Sequence, residues 1–185
     1  MGQAARHHRE QRIRRHPADA ELRVRRLRGP HLRPLSADLR EEIDALNARI
    51  YPRLNNGVYR AGFATTQAAY EEAFHDVFAM LDELEGCLGD GRDFLLGDRF
   101  TESDARLFVT LVRFDVAYYG LFKCNLRRIA DYPALSAYQE RVLAMPGVRE
   151  TVSIDHIKRG YYSIKALNPT GIVPVGPELS TVLAV

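Results

Sequence analysis

The chain contains no tryptophan and two cysteines, and none of its apolar runs approaches the roughly 18 residues a membrane-spanning helix needs. A transmembrane helix is therefore excluded. The first residues are basic but have no apolar stretch, which excludes a secretory signal. Their arginines imitate an organelle transit peptide, yet His and Pro are frequent and no amphipathic face is clear. Cys87 and Cys124 make neither a CxxC pair nor the multi-cysteine framework of a small secreted domain, so a reducing, cytoplasmic location is expected. No set of His, Cys, Asp and Glu has metal-ligand spacing, and no metal is expected.

Residues 1–36 are also without Phe, Tyr, Trp and Lys. They hold ten Arg against three acids, a net charge near +7, while the remaining 149 residues hold 16 Lys plus Arg against 21 acids, near −5. The chain thus has two compositions. The first part offers only isolated apolar residues such as Ile13, Leu22, Val24 and Leu27, too little burial to offset the entropy of ordering. It is expected to be disordered or loosely ordered. Charge alone would let it meet nucleic acid, but it has no aromatics for base stacking, and nucleic-acid binding is not the reading adopted. Arg, Ala, Pro, Gly and His without Lys is the look of a GC-rich gene read in another frame. Residues 1–36 are accordingly expected not to be native to the fold.

From Ala37 onward the pattern is helical. Leu39, Ile43, Leu46 and Ile50 draw one apolar stripe, Ser36 stands as N-cap, and Asp38, Glu41 and Glu42 suit the positive end of the helix dipole. Pro52 is expected to end or kink this helix, and Asn55-Asn56-Gly57 to turn the chain. A second helix starts near Thr66 and carries a broad apolar face from Tyr70 to Leu88, closed by Gly89 and Gly91. The apolar loop Phe94-Leu95-Leu96-Gly97 is expected to pack onto the domain. Thr101-Glu102-Ser103-Asp104 is a capping box: Thr101 can accept from the amide of Asp104, whose carboxylate reaches back to the amide of Thr101. The helix it opens is apolar on more than one side and should be the central one. Pro133 opens another helix, Pro146-Gly147 stops it, and a further helical stretch runs from about Val148 towards Tyr162. Residues 168–177 are extended, and 178–185 form a tail. No region alternates with period two, so the fold class is all-α.

The helix plan and the Thr101/Asp104 box resemble the C-terminal domain of glutathione transferases. Five ordered runs sharpen this: NNGVYRAGFATTQ (55–67), LVRFD (111–115), FKCNLRRI (122–129), DHIKR (155–159) and NPTGIVP (168–174). Together they resemble the helical half of glutathionyl-hydroquinone reductases, the Xi-class glutathione transferases, over residues 37–177. The resemblance implies a glutathione transferase C-terminal-like helical bundle. It implies an enzyme family that removes glutathione from glutathionyl-hydroquinones with a second glutathione as co-substrate. It also implies homodimers, and a nucleophilic cysteine in a Cys-Pro motif on a thioredoxin-like domain. No such segment, Cys-Pro or glutathione-binding loop is found before Ala37, so the chain by itself is expected to be inactive or nearly so. The alternative is a non-catalytic binding or oligomerisation module of the same type. Gly160 stands where the family pattern has His.

The resemblance places contacts to an aromatic, hydroquinone-type substrate at Tyr59, Tyr118 and Tyr161, where a phenol can hydrogen-bond a ring oxygen while its face packs the ring. No catalytic residue is assigned to this chain, and no bound cofactor. Cys124, near Lys123, Arg127 and Arg128, is read as a buried structural cysteine. Arg113 and Asp115 are two apart and cannot face each other on a helix, so each is expected to find another partner, with Arg127, Arg128 and Asp131 the candidates. The neighbours Asp155 and His156 are read as structural.

Overall fold

A computed structural model describes residues 37–177. The expectations for residues 1–36, including Ser36 as N-cap, and for the tail 178–185 lie outside the described residues. Within them the fold is helical, with one isolated bridge between Phe94 and Gly97.

A short 3-10 turn (Ala37–Leu39) leads into α1 (Arg40–Ile50), whose stripe buries Ile43 and Ile50. The α-helical register ends at Ile50, just before Pro52, as the proline predicts. The chain continues as a π-helical turn (Tyr51–Asn55) with the proline at its start, where a missing N–H falls on the shift in hydrogen-bond register. Asn55-Asn56-Gly57 does not reverse the chain. Asn56 keeps right-handed helical angles and α2 (Gly57–Gly62) follows at once. These residues serve packing instead. The Asn55 amide donates to the Arg106 carbonyl and the Thr110 hydroxyl, and a Cβ on Gly57 would stand 3.0 Å from Val77.

The longest helix, α3 (Gln67–Leu88), is N-capped by the Thr66 hydroxyl, which accepts from the Ala69 amide. Its buried face includes Ala73, Val77, Phe78, Leu81, Leu84 and Leu88, and each leucine so buried contributes about 1.5–3 kcal/mol. The loop after it tucks Leu95 fully inside, as its apolar sequence requires. Helix α4 (Glu102–Arg113) begins at the capping box and buries residues on several sides, from Ser103 and Asp104 to Leu111 and Val112. It runs on as a second π-helical turn (Phe114–Tyr118), all five residues of which are buried. Helix α5 (Pro133–Leu143) starts on Pro133 and stops before Gly147, whose φ of 79° suits glycine. The stretch after Val148 is interrupted. A 3-10 turn (Arg149–Thr151) is followed by α6 (Ile154–Tyr162), N-capped by Ser153. Helix α2 packs on α3, α3 on α5, α1 on α4, and α6 on the Phe114–Tyr118 turn.

The capping box is the polar centre of this core. Asp104 is fully buried, and its carboxylate accepts from the amides of Leu95 (2.9 Å) and Thr101 (2.8 Å) and from the hydroxyls of Thr101 (2.8 Å) and Tyr138 (3.2 Å). It ties the Leu95 loop, the start of α4 and the middle of α5 together. Burial raises its pKa against these hydrogen bonds, which pull the other way.

Candidate functional site

Three helical segments bring Tyr59, Tyr118 and Tyr161 to one point. Tyr59 comes from α2, Tyr118 from the end of the second π-helical turn, and Tyr161 from α6. Their hydroxyls lie 2.6 Å (Tyr59 to Tyr161), 2.8 Å (Tyr118 to Tyr161) and 3.4 Å (Tyr59 to Tyr118) apart. Tyr118 is 2% exposed and forms the floor, while Tyr59, at 38%, forms the rim.

The sequence reading missed the residue that holds them. Phe122, fully buried, stacks on Tyr118 at 5.2 Å and meets Tyr59 and Tyr161 edge-on at 5.2 and 5.8 Å. Offset and edge-on aromatic pairs contribute about 0.5–1.5 kcal/mol beyond their burial. Gly62 makes room for that ring, since a Cβ there would stand 2.4 Å from the Phe122 Cγ. The loop behind Phe122 is fixed by the Tyr70 hydroxyl, which donates to the Lys123 carbonyl at 2.7 Å, with Lys123 at a φ of 62°. The only signal for Phe122 in the sequence was its place beside Cys124 in the FKCNLRRI run.

Two cavities meet at the tyrosines. One of about 600 Å³ is lined by apolar residues such as Phe108, Val112 and Ile157, with Thr151, Ser153 and His156 as polar wall. The other, of about 520 Å³, includes Tyr51, Asn55 and Thr110. Tyr59, Val109, Arg113 and Tyr161 belong to both. Burial, reinforced by the neighbouring phenols, holds the Tyr118 hydroxyl well above the ordinary tyrosine range, and burial pushes Tyr161 up to about 12. Both stay protonated near neutral pH. At neutral pH each can therefore donate a hydrogen bond and cannot act as a base.

Other sequence candidates fall elsewhere. Cys124 is fully buried, its thiol donates to the Phe122 carbonyl, and burial pushes it up to about 12, so it carries little thiolate at neutral pH. Asp115 does not pair with Arg127 or Arg128. It accepts from the amides of Ile129 (2.6 Å) and Ala130 (3.2 Å), and the buried Ile129 amide would otherwise lack a partner. Arg127 pairs with Asp82 and Arg128 with Asp131. Arg113 donates to the Val109 carbonyl one turn back. Asp155 pairs with Arg159, and the His156 amide is capped by Ser153. Among the described residues no cluster of His, Cys, Asp and Glu is arranged to hold a metal ion, and no helix is long and apolar enough to cross a membrane.

The sequence profile of the glutathione S-transferase C-terminal domain matches residues 67–141. The chain is 60% identical over 142 residues to glutathionyl-hydroquinone reductase PcpF of Sphingobium chlorophenolicum, across 76% of this chain and 45% of that protein. The helical region belongs to the glutathione transferase family. Within the family its similarity runs to the Xi class. It is 51% identical over 140 residues to glutathionyl-hydroquinone reductase YqjG of Escherichia coli, across 75% of this chain and 42% of that protein. The glutathione-bound structure of YqjG superposes with a TM-score of 0.77 at 47% identity, covering 80% of this chain and 47% of that one. The glutathione S-transferase Xi of Phanerochaete chrysosporium superposes at 0.73 with 48% identity, over 76% of this chain and 45% of that one. The chain thus spans less than half the length of the curated relatives it matches.

Proposed function

We propose that the chain is the substrate-covering helical part of a glutathione-dependent reductase acting on glutathionyl-hydroquinones. The reaction is aryl–SG plus glutathione giving aryl–H plus glutathione disulfide. The observation that carries this reading is the convergence of the Tyr59, Tyr118 and Tyr161 hydroxyls at the meeting point of two largely apolar cavities. The apolar walls take the ring, and the phenols donate to its oxygens as charge develops there. Such donation suits a hydroquinone, which carries its oxygens on the ring.

The thiol step needs an activated cysteine beside bound glutathione. Cys124 does not supply it, because its thiol is buried and held protonated. The role of this chain in the reaction is therefore binding and orienting the ring. Glutathione is the co-substrate of the full reaction and is not held by these helices. Assembly is as a homodimer, and the two unpaired cysteines suit a reducing, cytoplasmic setting.

The test has two arms. Calorimetry with a hydroquinone ligand is expected to give binding that weakens about tenfold in Tyr118→Phe, the worth of one buried hydrogen bond. Turnover of a glutathionyl-hydroquinone with glutathione by the chain alone is expected to be absent or marginal. Brisk turnover abolished by Cys124→Ser would overturn the assignment of roles, and equal binding by wild type and Tyr118→Phe would remove the tyrosines from the site. One observation, the protonated Cys124 thiol, also fits a non-catalytic binding module of the same fold.

A further inference from the structure

We propose that Arg113 recognises a negatively charged oxygen on the aromatic ligand, so that the site selects rings bearing an ionised carboxylate or phenolate over neutral rings of the same shape. This rests on the ring-binding reading given above and adds a determinant of specificity to it.

Every arginine from Arg40 to Arg159 is in an ion pair with a carboxylate, except Arg113 and Arg149. Of those two, only Arg113 lines the cavities, and it lines both. Among the described residues neither lining contains an Asp or Glu. The second cavity also touches Arg106, but that guanidinium is neutralised by Glu102 at 2.7 Å. Among the described residues Arg113 is thus the uncompensated positive charge of the combined site.

A guanidinium offers five N–H donors in a planar fork, and among the described residues that of Arg113 donates to the Val109 carbonyl alone. That single bond anchors the side chain along α4 and leaves the fork able to take an anion in the two-point manner carboxylates prefer. The location compounds the effect. Concave, largely apolar walls weaken solvent screening, so a lone positive charge is felt more strongly there than on an open surface. Arg113 shares both cavity linings with Tyr161, the phenol hydrogen-bonded to both other tyrosines.

A merely structural Arg113, neutralising the negative end of α4 and holding the Val109 carbonyl, predicts something else. Its replacement would lower stability and disturb all ligands alike.

The experiment measures binding of three probes to the full chain by calorimetry at neutral pH. They are 2,5-dihydroxybenzoate, its neutral amide 2,5-dihydroxybenzamide, and tetrafluorohydroquinone, which carries its charge on a phenol. Wild type is expected to prefer the benzoate over the amide by about tenfold or more, as a charge-assisted hydrogen bond gives. In Arg113→Gln the ratio is expected to collapse to about one, and in Arg113→Lys to be partly kept. Raising the salt should shrink the wild-type ratio. Preference for the fluorinated hydroquinone, lost in Arg113→Gln, assigns the charge to a ring phenolate. Preference for the benzoate alone assigns it to a carboxylate. Circular dichroism confirms that the variants are folded. If the amide and both anions bind wild type equally well, or if Arg113→Gln keeps the preference, the inference falls while ring binding stands. If no probe binds, the ring-binding reading falls and takes this one with it.

Discussion

Replacing Asp104 with Ala should cost about 3–5 kcal/mol of stability, a large share of the roughly 5–15 kcal/mol that holds a domain folded. The carboxylate serves four donors in a fully buried place. Two of them, the amides of Leu95 and Thr101, are backbone groups that cannot turn to another partner. Each buried donor left unpaired costs about 1–3 kcal/mol, while the two hydroxyls can rotate and lose less. The large desolvation that raises the Asp104 pKa is no longer required in the variant and offsets part of the loss. Thr101→Ala should cost only about 1 kcal/mol, because Asp104 then still accepts from both amides. Asp104→Asn should fall between, since its NH₂ meets donors where an oxygen stood. Urea unfolding followed by far-ultraviolet circular dichroism measures all three. With a slope of about 2 kcal/mol per molar, the Ala variant's midpoint falls by about 2 M. A loss below about 1 kcal/mol for Asp104→Ala, or equal losses for the Ala variants at 101 and 104, would refute the assignment of the carboxylate as the shared acceptor.

Gly62→Ala should destabilise by about 1–3 kcal/mol and loosen the tyrosine cluster, because the new Cβ meets the buried Phe122 ring at 2.4–2.9 Å. Thermal melts and the loss of hydroquinone binding check this together. Gly160→Ala should do the opposite and stabilise by about 0.5–1 kcal/mol, since Gly160 sits inside α6 and a Cβ there meets nothing within 4 Å. A lower melting temperature in that variant would count against the packing described for α6. The stability difference between wild type and Asp115→Asn should shift against wild type as pH rises from about 4 towards neutrality. Burial raises the folded-state pKa of Asp115, outweighing its bonds to the Ile129 and Ala130 amides. The folded chain therefore binds that proton more tightly than the unfolded one, and the stability this gives is lost as pH passes through the raised value. Urea midpoints of both proteins across that range give the slope, and a slope of opposite sign would sink the argument.

Local chemistry made much of the helical plan legible in advance. The stripe Ile43 and Ile50, the Thr66 cap, the Thr101/Asp104 box and Pro133 at a helix start are each decided by residues within one or two turns of one another. The same local reasoning failed where hydrogen-bond register is set from a distance. Asn55-Asn56-Gly57 reads as a turn, yet the backbone stays helical through it, with Asn55 bonded to Arg106 and Thr110 and Gly57 close against Val77. Arg113 and Asp115 were recognised as needing partners, but which partners depended on where the Ile129 turn and the cavities lie. By itself the sequence determined the all-α class, the starts of α3, α4 and α5 and the family resemblance, since caps and apolar periods act over a few residues. Only the tertiary structure decided that hydroxyls on residues 59, 118 and 161 meet, that Phe122 seats their rings against Gly62, and that Arg113 faces the cavities unpaired. Those contacts span up to 102 residues, and they exist only once α2, the Phe114–Tyr118 turn and α6 have packed.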